Sequence, residues 1–211
     1  MNSLSSPSLT TRERIVAEAR TLFAERGFYG VSIAQIAAEM GLTKQALLHH
    51  FGTKEKLYGC VLEEIANELA TIRPTEDASH DPVERLADYF VAMLAGDPGE
   101  NERYRLLMRE ILDNRGRAKN AHHWFLRPFL EELTRLMRKV PSWSEAPEEI
   151  ILAALIQILG AVNYHAVSRP TFGAIFGGEV VGAVDGIFIA QFRRLIEAVL
   201  RAGPVQGAIG G

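Results

Sequence analysis

Polar side chains suited to hydrogen bonding with nucleobases follow a Gly-Leu pair early in the chain. Thr43, Lys44 and Gln45 come directly after Gly41 and Leu42. The ammonium group of Lys44 can donate to guanine O6 or N7, and the amide of Gln45 can pair with adenine N6 and N7. For this chemistry both side chains must stand at the start of an exposed helix that fits a major groove. The surrounding sequence decides whether such a helix is predicted.

Helical periodicity and clear end signals surround this cluster. Thr10 with Glu13 and Ser32 with Gln35 have the spacing of capping boxes, and Val31 and Ile36 that of a hydrophobic staple. Similar Ser or Thr starts and Gly stops bound the neighbouring segments. Four helices are therefore predicted here, spanning Thr10 to Gly27, Ser32 to Gly41, Thr43 to about His50, and Thr53 to about Thr71.

The second and third of these helices have the composition of a helix-turn-helix. Such a unit needs a small residue where the two backbones approach, which Ala37 supplies, and a glycine at the turn, which Gly41 supplies. Only about two residues separate the helices, too few for an antiparallel pair, so the third helix should project outward. The side chains expected to point inward are Ile36, Met40, Leu42 and Leu47.

The residues at the helix starts divide into base contacts and phosphate contacts. Ser32, Thr43 and Lys54 each lie at a helix N-terminus, where free backbone N–H groups and the dipole favour a phosphate. The ring of His50 has two open possibilities, facing the duplex or pointing back to the core. An exposed Lys or Gln is also common on a merely solvated helix. The candidate DNA contacts are Ser32, Thr43, Lys44, Gln45, Leu48, His49, His50 and Lys54.

The stretch TRERIVAEARTLFAERGFYGVSIAQIAAEMGLTKQALLHHFGTKEKLYGCVLEE resembles the N-terminal domain of the TetR family of bacterial repressors. It covers about a quarter of the chain. Three motifs occur in the family's order: G-x-x-x-x-[ST]-I-x-x-I-A over Gly27–Ala37, the G-L-T-K turn, and L-x-H-H-F-x-x-K-E-x-L over Leu47–Leu57. The position of Leu48 is usually an aromatic that packs against the DNA backbone, so one backbone contact departs from the pattern. The resemblance implies that Thr43, Lys44, Gln45, His50 and Lys54 face DNA.

The remaining sequence predicts an all-α fold, because nearly every segment has helical period and sustained alternation is lacking. Further helices are expected near 82–95, 102–114, 119–139, 147–168 and 179–201, about nine in all. Pro and Gly clusters mark the joints, among them the stretch 169–178. The predicted organisation is a disordered tail (1–9), a helix-turn-helix domain (10–56), and a ligand-binding and dimerisation domain (57–211).

Composition permits a nucleic-acid partner without requiring one. The formal net charge is -3, but residues 10–56 contain seven Lys or Arg and five Glu, giving them +2. The lone Cys60 cannot form an internal disulfide, and the N-terminus lacks a secretory signal pattern. The longest apolar run, Ile150–Val162, is shorter than the roughly 20 residues that span a bilayer. These observations predict a cytoplasmic protein with no membrane partner.

Large apolar side chains dominate the segment from Pro82 to Met137, and most of them should simply form the core. The family resemblance implies a cavity among these helices, lined by apolar groups with a few polar ones that orient a small molecule. The effector should be largely apolar. The candidate lining residues are Tyr89, Met93, Met108, Trp124, Phe125, Gln157 and Tyr164.

The last two predicted helices are apolar over more of their circumference than one core-facing stripe requires. Small residues recur at four-residue spacing, which permits close helix contact. We therefore expect a homodimer through a four-helix bundle, although both helices could instead pack only within the chain. The candidate interface residues are Ala153, Gln157, Ala161, Gly182, Gly186 and Ala190.

Two-fold symmetry would place two recognition helices about 34 to 36 Å apart, so the operator should be a near-palindrome. A ligand that favours a different tilt of the fourth helix would change this separation. A coupling of about 1 to 3 kcal/mol would weaken DNA affinity about 5- to 150-fold. The sequence thus predicts a repressor released from DNA by its effector.

Two other classes of function are an enzyme and an adaptor. An enzyme is disfavoured, because HExxH, P-loop and nucleophile-elbow motifs are absent and Cys60 has no obvious base partner. His122 and His123 are adjacent, which points them to different sides of a helix and disfavours shared metal ligation. No cofactor or metal is expected. An adaptor or partner-controlled regulator without a small-molecule ligand is the other alternative.

Overall fold

The computed structural model describes residues 9–72, 81–94, 101–113 and 125–205, and over these ranges it consists of helices without strands, which confirms the all-α prediction. Parts of the predicted tail, linker and 97–99 joint lie outside the described residues, as do His122, His123 and Trp124. The helices are α1 (Thr11–Arg26), α2 (Ile33–Glu39), α3 (Lys44–Phe51), α4 (Lys54–Thr71), α5 (Pro82–Leu94), α6 (Asn101–Asp113), α7 (Arg127–Met137), α8 (Glu148–Phe176) and α9 (Gly178–Ala202).

The predicted capping boxes form at the starts of α1 and α2. The backbone N–H of Glu13 donates to Thr10 Oγ1 at 3.2 Å, and the N–H of Thr10 donates to Glu13 Oε2 at 2.7 Å. The same reciprocal pair links Ser32 and Gln35. Hydrogen bonds from Thr10 lower the pKa of Glu13, because they stabilise the carboxylate form. The local sequence alone therefore defines where these two helices begin.

The chain divides into two compact units, and the first contains the helix-turn-helix. It comprises Met1–Asn67 together with Arg105–Lys119, so it extends beyond residue 56 and includes the second part of α6. Its core is formed by apolar side chains of α1, α2, α3 and α4, each at most 1% exposed. These are Ile15, Ala19, Phe23, Ile36, Ala37, Leu47, Leu57, Val61 and Ile65.

The second unit comprises Glu68–Tyr104 and Asn120–Gly211. Within it α9 packs against α5 and α8, and α7 packs against α8. Two ion pairs join α9 to α5 and to the residue before it. Arg193 pairs with Asp88 of α5, and Arg201 Nη2 lies 2.7 Å from Oδ2 of Asp81, which immediately precedes α5. A short 3₁₀ turn, Pro141–Trp143, closes the C-terminal end of α9, where the indole N–H of Trp143 donates to the Leu200 carbonyl at 3.0 Å.

Helix α8 is longer than predicted. The expected break over residues 169–178 is wrong, because α8 continues through Pro170 to Phe176 and only Gly177 interrupts the helices. Contacts on both sides of the proline favour the helical path over its local preference. The ring centres of Tyr164 and Phe172 are 6.2 Å apart, and Arg169 Nη2 lies 2.6 Å from Asp185 Oδ2 on α9.

Candidate nucleic-acid interface

The turn between α2 and α3 is tight and depends on a glycine. Gly41 has φ +66°, a left-handed conformation that costs a side-chain-bearing residue energy. The N–H of Leu42 donates back to the Ala37 carbonyl at 2.8 Å, which closes the C-terminal end of α2. Ala37 itself is 1% exposed, as expected for the small residue at this position. Thr43 then begins the next helix two residues after the glycine.

Helix α3 has one buried face and one exposed face. Leu47 and Phe51 are 0% and 5% exposed and anchor the helix in the first unit. The guanidinium of Arg12 lies 4.8 Å from the centre of the Phe51 ring and covers it from α1. The exposed side chains of α3 are therefore carried by an anchored helix. Those exposed to solvent are Thr43, Lys44, Gln45, His49 and His50, and Leu48 is partly buried.

The ring of His50 is exposed, so it does not point back to the core. The centre of its ring lies 6.1 Å from that of the His49 ring and 6.3 Å from that of the Phe51 ring. His49 and His50 thus form a pair of polar rings on the last turn of α3. This arrangement places both imidazoles on the same helix as the exposed Lys44 and Gln45.

Two of the expected phosphate contacts also cap their helices. Thr43 Oγ1 accepts from the Ala46 N–H at 3.1 Å, and Ser32 Oγ accepts from the Gln35 N–H at 3.2 Å. Each hydroxyl retains its own hydrogen, since a capping oxygen acts only as acceptor. Both side chains are exposed. They are therefore able to donate to a phosphate oxygen without giving up the cap.

The Ser32 cap permits a direct stability test. Ser32→Ala removes the oxygen that accepts the Gln35 N–H, and the loss should lower the free energy of unfolding by about 1 kcal/mol. Denaturant unfolding followed by circular dichroism measures the difference. Ser32→Thr, which keeps the hydroxyl, is the matched control and should stay near the wild-type value. An unchanged unfolding midpoint for Ser32→Ala would contradict a stabilising role for this cap.

Lys54 lies in a different environment from the other candidates. Its ammonium donates to the carbonyls of Phe28 at 2.9 Å and Val31 at 3.0 Å, and it sits 4.1 Å from the centre of the Phe28 ring. Two of the three ammonium hydrogens are thus used within the protein. At most one ammonium hydrogen of Lys54 is therefore left for the phosphate contact expected from the sequence.

An aromatic cluster that was not predicted supports the loop that precedes α2. Tyr58 of α4 lies edge-on to Phe23 with ring centres 4.9 Å apart, and its ring centre is 5.0 Å from that of Phe28. Tyr29 packs edge-on against Phe28 at 5.2 Å while remaining 75% exposed. The sequence signal for this cluster was the aromatic residues in the segments G-F-Y (27–29) and K-E-K-L-Y (54–58).

The candidate effector residues fall into several environments. Tyr89 and Met93 of α5 are each 3% exposed in the second unit, and Phe125 of the same unit is partly buried. Met108 belongs to the first unit. Trp124 lies outside the described residues. The structure therefore brings Tyr89 and Met93 together in one interior, but not the whole predicted set.

Gln157 and Tyr164 do not share that interior. Both are exposed side chains of α8, and Tyr164 is 61% exposed. Gln157 was also a candidate for the dimer interface, which its position suits better. The physical reason is the register of α8, in which Leu155, Ile158 and Val162 take the buried face instead.

The candidate interface residues lie on exposed parts of α8 and α9. Ala153, Gln157, Gly182, Gly186 and Ala190 are exposed, and Ala161 is partly so. A Cβ added to Gly182 or Gly186 would meet no atom within 4 Å. Large apolar side chains stand beside these small residues, and several of them are more than half exposed. These are Ile156, Tyr164, Ile187 and Leu195, at 70%, 61%, 56% and 56%.

A polar cluster links α8 to α9 near this face. His165 Nε2 lies 3.3 Å from Asp185 Oδ1, and Arg169 binds the other oxygen of the same carboxylate. The His165 ring stacks on Phe188, with centres 4.0 Å apart. Burial lowers the pKa of His165, while Asp185 acts in the opposite direction. Over the described ranges, no group of three or more His, Cys, Asp or Glu is arranged to hold a metal ion.

Comparison with known proteins identifies relatives of both the N-terminal region and the whole fold. Residues 15–60 match the family model described as bacterial regulatory proteins, tetR family. The repressor DhaR of Mycobacterium sp. (strain GP1) is 39% identical over 85 residues, which are 39% of this chain and 43% of DhaR. The chain thus aligns with less than half the length of that relative.

A longer alignment is found with the repressor SCO4008 of Streptomyces coelicolor, which is 29% identical over 84% of this chain and 88% of its own length. Among solved structures, the fatty acid degradation regulator FadR from Bacillus halodurans superimposes with a TM-score of 0.69 at 15% identity. That superposition covers 93% of this chain and 99% of the other. At this identity it establishes a shared fold.

Proposed function

We propose that the chain is a member of the TetR family of bacterial regulatory proteins and binds operator DNA as a sequence-specific transcriptional repressor. One observation carries the proposal. Helix α3 is anchored by the buried Leu47 and Phe51, while Lys44 and Gln45 at its start are exposed. A helix that is rigid on one side and polar on the other suits insertion into a major groove.

Within that groove, the side chains take different roles. Lys44 and Gln45 read base edges, and the hydroxyls of Ser32 and Thr43 donate to phosphates. His49 and His50 lie on the later turn of α3 and contact the duplex from there. Leu48, partly buried, replaces the aromatic that usually packs on the DNA backbone in this family.

We propose that two copies associate through the exposed face of α8 and α9. The face contains both protruding side chains, such as Ile156 and Ile187, and gaps, such as Gly182 and Gly186. A surface with knobs and holes of similar size can pack against itself around a two-fold axis. The operator read by such a dimer is a near-palindrome.

A lipid bilayer is the other apolar environment for this face. By length and composition α8 passes the test for a membrane span, although the same test is met by core helices of soluble proteins. Helix α8 packs against α5, α7 and α9 and buries Ile151, Leu155 and Val162, which is the setting of a core helix. We therefore propose a protein partner and a cytoplasmic location, as is usual for regulators of this family.

The proposed effector is a small, largely apolar molecule held in the second unit. Tyr89 and Met93 are buried there, and Phe125 is partly buried in the same unit. An apolar lining with the Tyr89 hydroxyl as a polar handle suits such a ligand. Binding would release the operator by favouring a conformation with lower DNA affinity. The exposed Gln157 and Tyr164 are assigned to the proposed dimer face instead.

Selection of bound fragments from a random pool of duplex DNA tests the proposed function. The expected result is a shared motif with two inverted half-sites, enriched over successive rounds. Binding to the selected duplex should exceed binding to scrambled duplex by at least about 1,000-fold at physiological salt. Recovery of fragments with no common sequence would contradict a sequence-specific repressor.

A further inference from the structure

The second part of α6 carries a charged side chain that is buried in the first unit. Glu110 is 2% exposed, and its Oε2 accepts a hydrogen bond from the Tyr58 hydroxyl at 2.9 Å. Tyr58 is equally buried, at 2% exposure. Burying a carboxylate costs free energy unless the group is hydrogen-bonded. Because the Tyr58 hydroxyl supplies such a bond, the contact fixes α6 and α4 relative to each other within the unit.

Arg109, the neighbouring residue, holds the end of α1. Its Nε donates to the Ala24 carbonyl at 3.1 Å, and its Nη2 donates to the Glu25 carbonyl at 2.7 Å. Carbonyls in the last turn of a helix have no partner inside the helix, and a guanidinium at that end also complements the dipole. Arg109 therefore holds the last turn of α1, just before Gly27 ends the helix.

That loop, Gly27–Val31, connects α1 directly to the cap of α2; we call it the α1–α2 loop. It is held at its middle and end by α4. Lys54 donates to the carbonyls of Phe28 and Val31, and the Tyr58 ring packs against Phe28. The loop thus follows directly on the α1 turn held by Arg109, and Lys54 holds it as far as Val31, one residue before Ser32.

We propose that Lys54, Tyr58 and Arg109 are positioning residues for DNA binding. They hold the α1–α2 loop, and through it the start of α2, so that α3 is presented at the correct depth and angle. This inference rests on the proposed function and goes beyond it in two respects. It assigns Lys54 a role other than phosphate contact, and it makes the end of α6 part of the DNA-reading unit.

The electrostatics of Lys54 distinguish the two roles. Each phosphate neutralised by a lysine steepens the dependence of log K on log salt by about 0.9. A lysine whose ammonium is bound to backbone carbonyls instead changes affinity with little change in that slope. Lys44, which is exposed and proposed to read a base edge, provides the comparison for a direct contact, whose loss changes base preference.

The experiment measures Kd for the duplex selected by the wild-type protein, at several salt concentrations and well below the unfolding temperature. Arg109→Gln should weaken binding about 2- to 30-fold with an unchanged salt slope. Arg105→Gln is the matched control, since Arg105 is exposed on the same helix and the charge change is identical. It should bind within about twofold of wild type. A residue that only stabilised the fold would lower the unfolding temperature and leave the Kd of the folded protein unchanged.

Lys54→Met should weaken binding to all duplexes with the salt slope of the wild type, whereas Lys44→Ala should relax the preference for the correct base. Tyr58→Phe, which keeps the ring and loses only the hydroxyl, serves if Lys54→Met does not fold, and it should weaken binding about 2- to 10-fold. The proposal is overturned if Lys54→Met makes the slope shallower by about one, or if Arg109→Gln and Tyr58→Phe bind like wild type. Failure of the wild-type protein to enrich any duplex would refute the proposed function instead.

Discussion

Gly186→Leu should split the proposed dimer into monomers. A Cβ added at this position meets no atom from outside its own stretch of helix within 4 Å, so the protomer has open space there for a side chain. At a two-fold interface it is introduced twice. Overpacking costs about 1 to 3 kcal/mol per site, or about 2 to 6 kcal/mol for the pair, which weakens dimerisation by about 30-fold to more than 10,000-fold.

Sedimentation equilibrium at low micromolar protein measures this effect. Gly59→Leu is the matched control, because Gly59 is also an exposed helical glycine with nothing within 4 Å of an added Cβ and lies off the proposed face. It should retain the dimer mass. The monomeric Gly186→Leu variant should also lose operator affinity, since one recognition helix alone cannot engage both half-sites. A dimer mass for Gly186→Leu would remove this face as the interface.

Lys44→Ala and Gln45→Ala should each relax operator specificity. Every bidentate contact to a base contributes about 1 to 3 kcal/mol of discrimination, so each loss should reduce the preference for the correct base about 5- to 150-fold. The altered position should be the same in both half-sites, because the two protomers are equivalent. Binding of each variant to a set of operators with single base-pair changes measures the effect.

Lys56→Ala provides the control for charge. Lys56 is an exposed cation of the same unit and has no proposed base contact. It should leave the ranking of the mutated operators unchanged. If Lys44→Ala and Gln45→Ala lower affinity for all duplexes equally, these side chains contact only the backbone and the assignment of base readout is incorrect.

The helix-turn-helix could be predicted because its signals are local. A capping oxygen and the backbone N–H that donates to it are three residues apart. Thr43, which caps α3, comes two residues after the turn glycine. Such contacts depend on sequence spacing rather than on distant packing. The same reasoning explains why the starts of α1 and α2 agree with the capping boxes expected at Thr10 and Ser32.

The contacts that hold this unit together are distant in sequence and were not predicted. Lys54 reaches a carbonyl 26 positions earlier, and Arg109 reaches one 85 positions earlier. Neither pairing leaves a periodic pattern. The helix start at Lys54 suggested an anion site, but the backbone carbonyls of the α1–α2 loop take most of its donors.

The C-terminal helices illustrate a second limit of sequence patterns. Pro170 and nearby glycines indicated a break, yet interactions between α8 and α9, including Arg169 with Asp185, favour a continuous helix. An apolar residue such as Tyr164 suits a cavity or an interface equally well by composition. Its exposure on α8 distinguishes these possibilities only once the helix register is known.

Hydroxyl-radical footprinting on the selected duplex tests the central claim most directly. If α3 of each protomer enters a major groove, protection should fall on one face of the DNA, in two patches about 10 base pairs apart or a multiple of that spacing. The pattern should vanish with Lys44→Ala combined with Gln45→Ala. Uniform protection along any duplex, or none at low salt, would contradict the claim that α3 reads operator DNA.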